Sequence, residues 1–159
     1  MKLLVFSDSH GVYAVMRDTV LQEQPDTILH LGDGAREAQR LAREFPAIPV
    51  TALTGNCDRG AGDAAQFLDE LGGVRIFACH GDRYQVKSTL LHLFYAAEER
   101  QASLCLYGHT HIARCETLRG IQFFNPGSCG GIHPSCGVVE LDGGCAQCRI
   151  LQLHHKEEA

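Results

Sequence analysis

Five short apolar, β-compatible runs in this chain each end on a cluster of glycine and polar side chains, and that recurrence limits the fold more than anything else in the sequence. Residues 2–6 run into Asp8-Ser9-His10, 27–31 into Gly32-Asp33, 49–53 into Gly55-Asn56, 74–79 into His80-Gly81-Asp82, and 104–107 into Gly108-His109-Thr110-His111. A strand that stops on such a loop sets polar groups down at its carboxyl end, where open α/β sheets place their ligands.

Between the first clusters the period changes from two to 3.6. Val12, Val15, Met16, Thr19 and Val20 fall at helical spacing within residues 12–23, ahead of Pro25, and residues 35–44 are rich in the helix formers Ala, Glu, Arg and Leu. A third helix does not follow Gly55-Asn56-Cys57-Asp58. Instead Gly72-Gly73 separates two β-compatible runs, 65–71 and 74–79, which predicts a hairpin. Residues 88–100 read as a helix. Hairpins are expected again within 113–124, turning at Arg119-Gly120, and between 137–141 and 146–153 across Asp142-Gly143-Gly144. Helices come early and hairpins late, so the expected class is α/β, with sheets covered by helices in a sandwich.

The 159 residues fit one domain, placed at 1–153, with a flexible tail at 154–159. A net charge of −5 argues against general binding to nucleic acid or anionic membrane, and does not exclude a nucleotide-sized substrate. No apolar run approaches the roughly 18 to 20 residues of a membrane span, and residues 1–6 are too short and too soon followed by acids for a signal peptide. The expectation is a cytoplasmic protein whose eight cysteines are free thiols.

The five clusters supply Asp8, His10, Asp33, Asn56, His80, His109 and His111, a mixture of oxygen and imidazole donors that suits Mn, Fe, Co, Ni or Zn. That set exceeds the needs of one four-coordinate ion. It suits two ions sharing a bridging carboxylate, and Asp33, alone between Gly32 and Gly34, is the natural bridge. Two ions roughly 3.5 to 4 Å apart hold a hydroxide and neutralise phosphoryl oxygens during in-line displacement, which makes phosphoester hydrolysis the matching chemistry. In an extended stretch, Asp8 and His10, or His109 and His111, would point to one side and reach one cluster.

The order Asp-x-His, Gly-Asp, Gly-Asn-x-Asp, His-Gly, Gly-His-Thr-His resembles the calcineurin-like metallophosphoesterase superfamily, and within it the small single-domain bacterial and archaeal phosphodiesterases. Asn125-Pro126-Gly127-Ser128 is similar to the loop that follows the last ligands there. The resemblance implies a four-layer αββα sandwich of two mixed sheets flanked by helices. It implies two divalent ions, manganese first, with Fe, Ni, Zn or Co as alternatives. Asp8, His10, Asp33 and His111 would bind one ion and Asp33, Asn56, His80 and His109 the other. Asp33, Asn56, Cys57 and Asp58 form the implied catalytic group, with Asn56, Arg59 and Asn125 at the substrate.

Cys57 departs from the Gly-Asn-His pattern of many members, although the small phosphodiesterase branch often carries cysteine there. A thiol of pKa ~8.5 does not substitute directly for an imidazolium as proton donor. Two consequences are open: a preference for esters with good leaving groups, or recruitment of His133 or a metal-bound water. Gly32-Asp33-Gly34-Ala35-Arg36 also lacks the form found in protein Ser/Thr phosphatases. A phosphomonoesterase or nucleotide pyrophosphatase would use the same centre, and a protein-interaction scaffold of this fold is the competing class. Cys145-Ala146-Gln147-Cys148 has zinc-compatible spacing that Cys129 and Cys136 could complete, but core and surface thiols are the expected roles. The apolar residues of 90–97 read as core, with a homo-oligomeric surface as the alternative.

Overall fold

The computed structural model describes residues 1–154, so the expected tail lies, apart from His154, outside the described residues. The chain runs β1 (Lys2–Phe6), α1 (Ala14–Glu23), β2 (Thr27–His30), α2 (Ala35–Glu44), β3 (Val50–Ala52), β4 (Gln66–Leu71), β5 (Val74–Cys79), α3 (Leu91–Glu99), β6 (Leu104–Leu106), β7 (Arg114–Leu118), β8 (Ile121–Asn125), β9 (Ser135–Asp142) and β10 (Cys145–Gln152). A single 3-10 turn, Asp82–Tyr84, occupies part of the connection into α3. That helix is shorter than the expected 88–100.

Two five-stranded mixed sheets form, ordered β10-β9-β1-β2-β3 and β4-β5-β6-β8-β7. The central strands β1, β2, β5 and β6 alternate apolar residues on both faces, as strands covered on both sides must. Leu3 and Val5 of β1 meet Ile76, Ala78, Leu104 and Leu106 of the other sheet in the core between the sheets. Leu4 and Phe6, on the opposite face of β1, pack on Val15, Met16 and Val20 of α1 and Leu41 of α2. Phe77 and Cys105 likewise turn outward to Leu93, Phe94 and Ala97 of α3. The result is the four-layer αββα sandwich.

The three expected hairpins are present, and their turns explain the residues chosen for them. Gly72 and Gly73 (φ 56° and 77°), Arg119 and Gly120 (46° and 82°), and Gly143 and Gly144 (55° and 79°) are all left-handed, as a two-residue turn matched to strand twist requires. The β9–β10 pair is longer than expected, with eight paired positions from Cys145↔Asp142 to Gln152↔Ser135. Within α3, Leu93, Phe94, Ala96 and Ala97 are buried, whereas Leu91 and Tyr95 are 51% and 56% exposed.

Candidate metal centre

The carboxyl ends of β1, β2 and β3 in one sheet and of β5 and β6 in the other converge on one spot, and the connecting loops bring six imidazole and carboxylate side chains and one amide together. Asp8 is fully buried. Its Oδ2 accepts from Ser7 Oγ at 2.5 Å and from the His109 backbone N–H at 3.1 Å. Among the described residues its Oδ1 has no hydrogen-bond partner. That orphaned oxygen lies 3.1 Å from His111 Nε2, 3.8 Å from His10 Nε2 and 3.9 Å from His80 Nε2. Leaving a buried carboxylate oxygen without a partner costs about 3 kcal/mol or more unless a cation supplies one.

Asp33 stands between the two halves. Its Oδ2 is 3.3 Å from His80 Nε2 and 3.9 Å from His10 Nε2, while Oδ1 accepts from the Cys57 N–H at 2.8 Å. His80 Nε2 also lies 3.0 Å from Asn56 Oδ1 and 3.2 Å from His109 Nδ1. Its other nitrogen, Nδ1, is 3.0 Å from the Leu31 carbonyl, which orients the ring and directs Nε2 into the centre. Three groups have donor atoms close enough to share an ion: Asp8-His10-His111, Asp33-His80-His109 and His10-Asp33-Cys57. The residues therefore fit divalent metal ions on geometry and donor chemistry together.

The electrostatics follow from this crowding. Burial opposes charge on Asp33, yet hydrogen bonds from His80 and from the Cys57 N–H outweigh it and hold the carboxyl well below its usual range. Burial likewise opposes charge on His80, but Asp33 and Asp8 raise its pKa. For His109, burial and then the neighbouring His80 both lower it. Burial and then Asp33 raise the Cys57 thiol.

Asp8, His10, Asp33, His109 and His111 all have left-handed backbones, with φ between 43° and 70°. Such conformations are uncommon outside glycine and collect at functional sites. They also correct one expectation. The Asp8–His10 and His109–His111 stretches are not extended, and within the one centre the two histidines take different partners: His109 turns to His80 and His111 to Asp8.

Two further expectations change. Asn125, expected at the substrate, is fully buried: its Nδ2 donates to the Gly108 carbonyl and to Thr110 Oγ1, and its Oδ1 accepts from the Gly127 N–H. With every polar atom engaged, it holds the loop bearing His109 and His111. Asp58, expected among the catalytic groups, accepts the backbone N–H groups of Asp33, Gly34, Ala35 and Gly55 at 2.7 to 3.0 Å. It caps α2, whose own N-cap Gly34 offers no side chain. Cys57 and Arg59 do reach the cleft of about 580 Å³ lined also by His10, Asp33 and Arg36. His133 is exposed and lines none of that cleft.

The residues that support the centre carry little local signal along the chain. Ser128 Oγ donates to the Asp8 carbonyl at 2.7 Å, and Ser9 Oγ lies 3.0 Å from His30 Nε2. Ser9 and Ser128 fall within the polar clusters, but His30 is one polar residue inside an apolar strand. The cysteines at 129 and 136 pack with α1, whereas Cys148 lies against the core between the sheets and Cys145 is exposed, which separates the four thiols.

A family model for the calcineurin-like phosphoesterase superfamily domain matches residues 1–144. YsnB of Bacillus subtilis, described as a probable metallophosphoesterase, is 39% identical over 134 residues, covering 80% of this chain and 75% of the relative. Among solved structures, a predicted phosphoesterase from Streptococcus pneumoniae superposes with a TM-score of 0.79 at 28% identity, covering 95% of this chain and 88% of that one. Zinc-bound Vps29 from Entamoeba histolytica gives 0.78 at 21% identity, covering 96% and 99%, a likeness of fold. With two five-stranded sheets between helices and a donor-lined crevice at their strand ends, the chain belongs to the calcineurin-like phosphoesterase superfamily.

Proposed function

We propose that this metallophosphoesterase is a dinuclear phosphodiesterase acting on small phosphate esters. The observation that carries the reading is the position of Asp33, whose carboxylate belongs at once to a group with His10 and to a group with His80 and His109, while Asp8 Oδ1 waits unpartnered beside His10 and His111. Two divalent ions bound there supply Lewis acidity and an activated water for in-line attack on phosphorus. Asp8, His10, Asp33 and His111 hold one ion, and Asp33, Asn56, His80 and His109 the other. The mixed donors accept manganese, iron, nickel, zinc or cobalt.

Asn56 is exposed at the rim and can also donate to a phosphoryl oxygen from its amide. Arg59 lines the adjoining cleft and has no ion pair among the described residues, so it is free to neutralise a substrate oxygen. With the Cys57 thiol raised and His133 outside the cleft, no side chain there is matched to protonate a poor leaving group. Esters with good leaving groups are the preferred substrates on this reading. The eight free thiols fit a reducing cytoplasm, and no helix among the described residues is long and apolar enough to cross a membrane.

The test is hydrolysis by metal-reconstituted protein of an activated aryl phosphodiester and of cyclic nucleotides. Asp33→Asn is expected to lower kcat/KM by about 100-fold or more. Turnover of neither substrate would favour the alternative, an interaction scaffold of the same fold. A phosphomonoester turned over faster than the diester would replace the phosphodiesterase reading with a phosphomonoesterase.

A further inference from the structure

We propose that Cys57 is itself a ligand of the ion held by His10 and Asp33, so that a thiolate joins the carboxylates and imidazoles of the centre. This inference rests on the metal centre described above and adds a donor to it. The Cys57 Sγ, an imidazole nitrogen of His10 and a carboxylate oxygen of Asp33 all lie within 4.8 Å of one another. Donor atoms around a tetrahedral ion with metal–sulfur and metal–nitrogen bonds of about 2.3 and 2.0 Å are separated by about 3.5 Å. The three therefore need to close by no more than about 1.3 Å, which a side-chain rotation covers.

The backbone prepares that approach. The Cys57 N–H donates to Asp33 Oδ1 at 2.8 Å, which fixes the Cys57 main chain against the carboxylate and leaves χ1 as the one torsion the sulfur needs. Cys57 is exposed on the same cleft as His10 and Asp33, and its sulfur accepts from Asn56 Nδ2 at 3.4 Å, a contact within the same centre. An independent feature points to an ion at the same place: Asp8 Oδ1, fully buried and without a hydrogen bond among the described residues, is 3.8 Å from Nε2 of His10, a member of Cys57's group.

As the sulfur–metal bond forms, the S–H bond breaks and its proton leaves to solvent, with no change of oxidation state. A soft donor shifts preference toward zinc and cobalt and away from manganese. It also accounts for a cysteine beside the bridging carboxylate without asking a thiol to act as an imidazolium.

Cobalt(II) titration of the chelator-stripped full chain separates the possibilities. The expected result is a near-ultraviolet sulfur-to-cobalt charge-transfer band in the wild type that Cys57→Ser lacks, with visible d–d bands retained in both. Zinc affinity relative to manganese should fall by about tenfold in the same variant. Visible bands with identical near-ultraviolet spectra in the two proteins would overturn the sulfur ligand and leave the metal centre standing. Absence of visible bands from the wild type would overturn both. Should the variant fail to fold, the wild-type spectrum decides alone, since no charge-transfer band means no bound sulfur.

Discussion

His30 shows how much of the centre is held by groups outside it. Its side chain is fully buried, with Nδ1 accepting the Gly32 N–H at 3.1 Å and Nε2 lying 3.0 Å from Ser9 Oγ, which in turn donates to Glu37 at 2.8 Å. An Nδ1 that accepts leaves the proton on Nε2, so neutral His30 ties the Asp8–His10 loop to the Gly32–Asp33 loop and to α2. Burial pushes its pKa down to about 4, against the pull of Asp8 and other carboxylates. The unfolded chain, at the ordinary value of 6.5, binds the proton first as pH falls. His30 therefore leaves stability intact above pH 6.5 and costs about 3 kcal/mol progressively as pH drops toward 4. Stability from urea titrations of metal-free protein should fall by about 3 kcal/mol more across that pH range in wild type than in His30→Gln; parallel stability–pH curves would exclude it. Asp58→Ala should cost about 2 kcal/mol in the same assay, since it strips the acceptor from the start of α2.

At the level of elements, the glycines separate close approach from turn geometry. A Cβ on Gly55 would sit 2.2 Å from Asp33 Oδ1 and 2.6 Å from Asp33 N, where the β3 loop passes over the Asp33 carboxylate. Gly55→Ala should therefore displace Asp33 and reduce bound metal, as measured by elemental analysis of dialysed protein. Gly120 has nothing within 4 Å of its Cβ position, and only its φ of 82° matters. Gly120→Ala is expected to cost about 1 kcal/mol in stability with metal content unchanged. Equal metal content in the two variants would refute the close-approach argument.

Across the whole molecule, the donors come from both sheets. Asp8 and His10 follow β1, Asp33 follows β2 and Asn56 follows β3, whereas His80 follows β5 and His109 and His111 follow β6. Ions bound between them join the two halves of the sandwich and stabilise the native state by mass action, about 4 kcal/mol at a thousandfold excess over Kd. Chelation should lower Tm in calorimetry, and re-addition of metal should restore it in a concentration-dependent way. A Tm indifferent to chelator would exclude ions that bridge the sheets.

The residue pattern alone determined the α/β class, the three hairpins and the seven polar side chains that gather at the strand ends, because strand periodicity and two-residue glycine turns are local and polar clusters at strand ends are visible in order along the chain. It did not determine which donors meet. Period-two spacing pairs His109 with His111, but left-handed backbones at both send them to different partners, a choice fixed by packing of the β6 loop against Asp8 and His80. Asp58 and Asn125 read as site residues from their motifs, yet the fold spends their hydrogen bonds on backbone and loop groups far away in sequence. Burial settled the rest: an Asp8 oxygen without a partner and a neutral His30 beneath the loops exist only once two sheets close over them, since an exposed carboxylate or imidazole would find water instead.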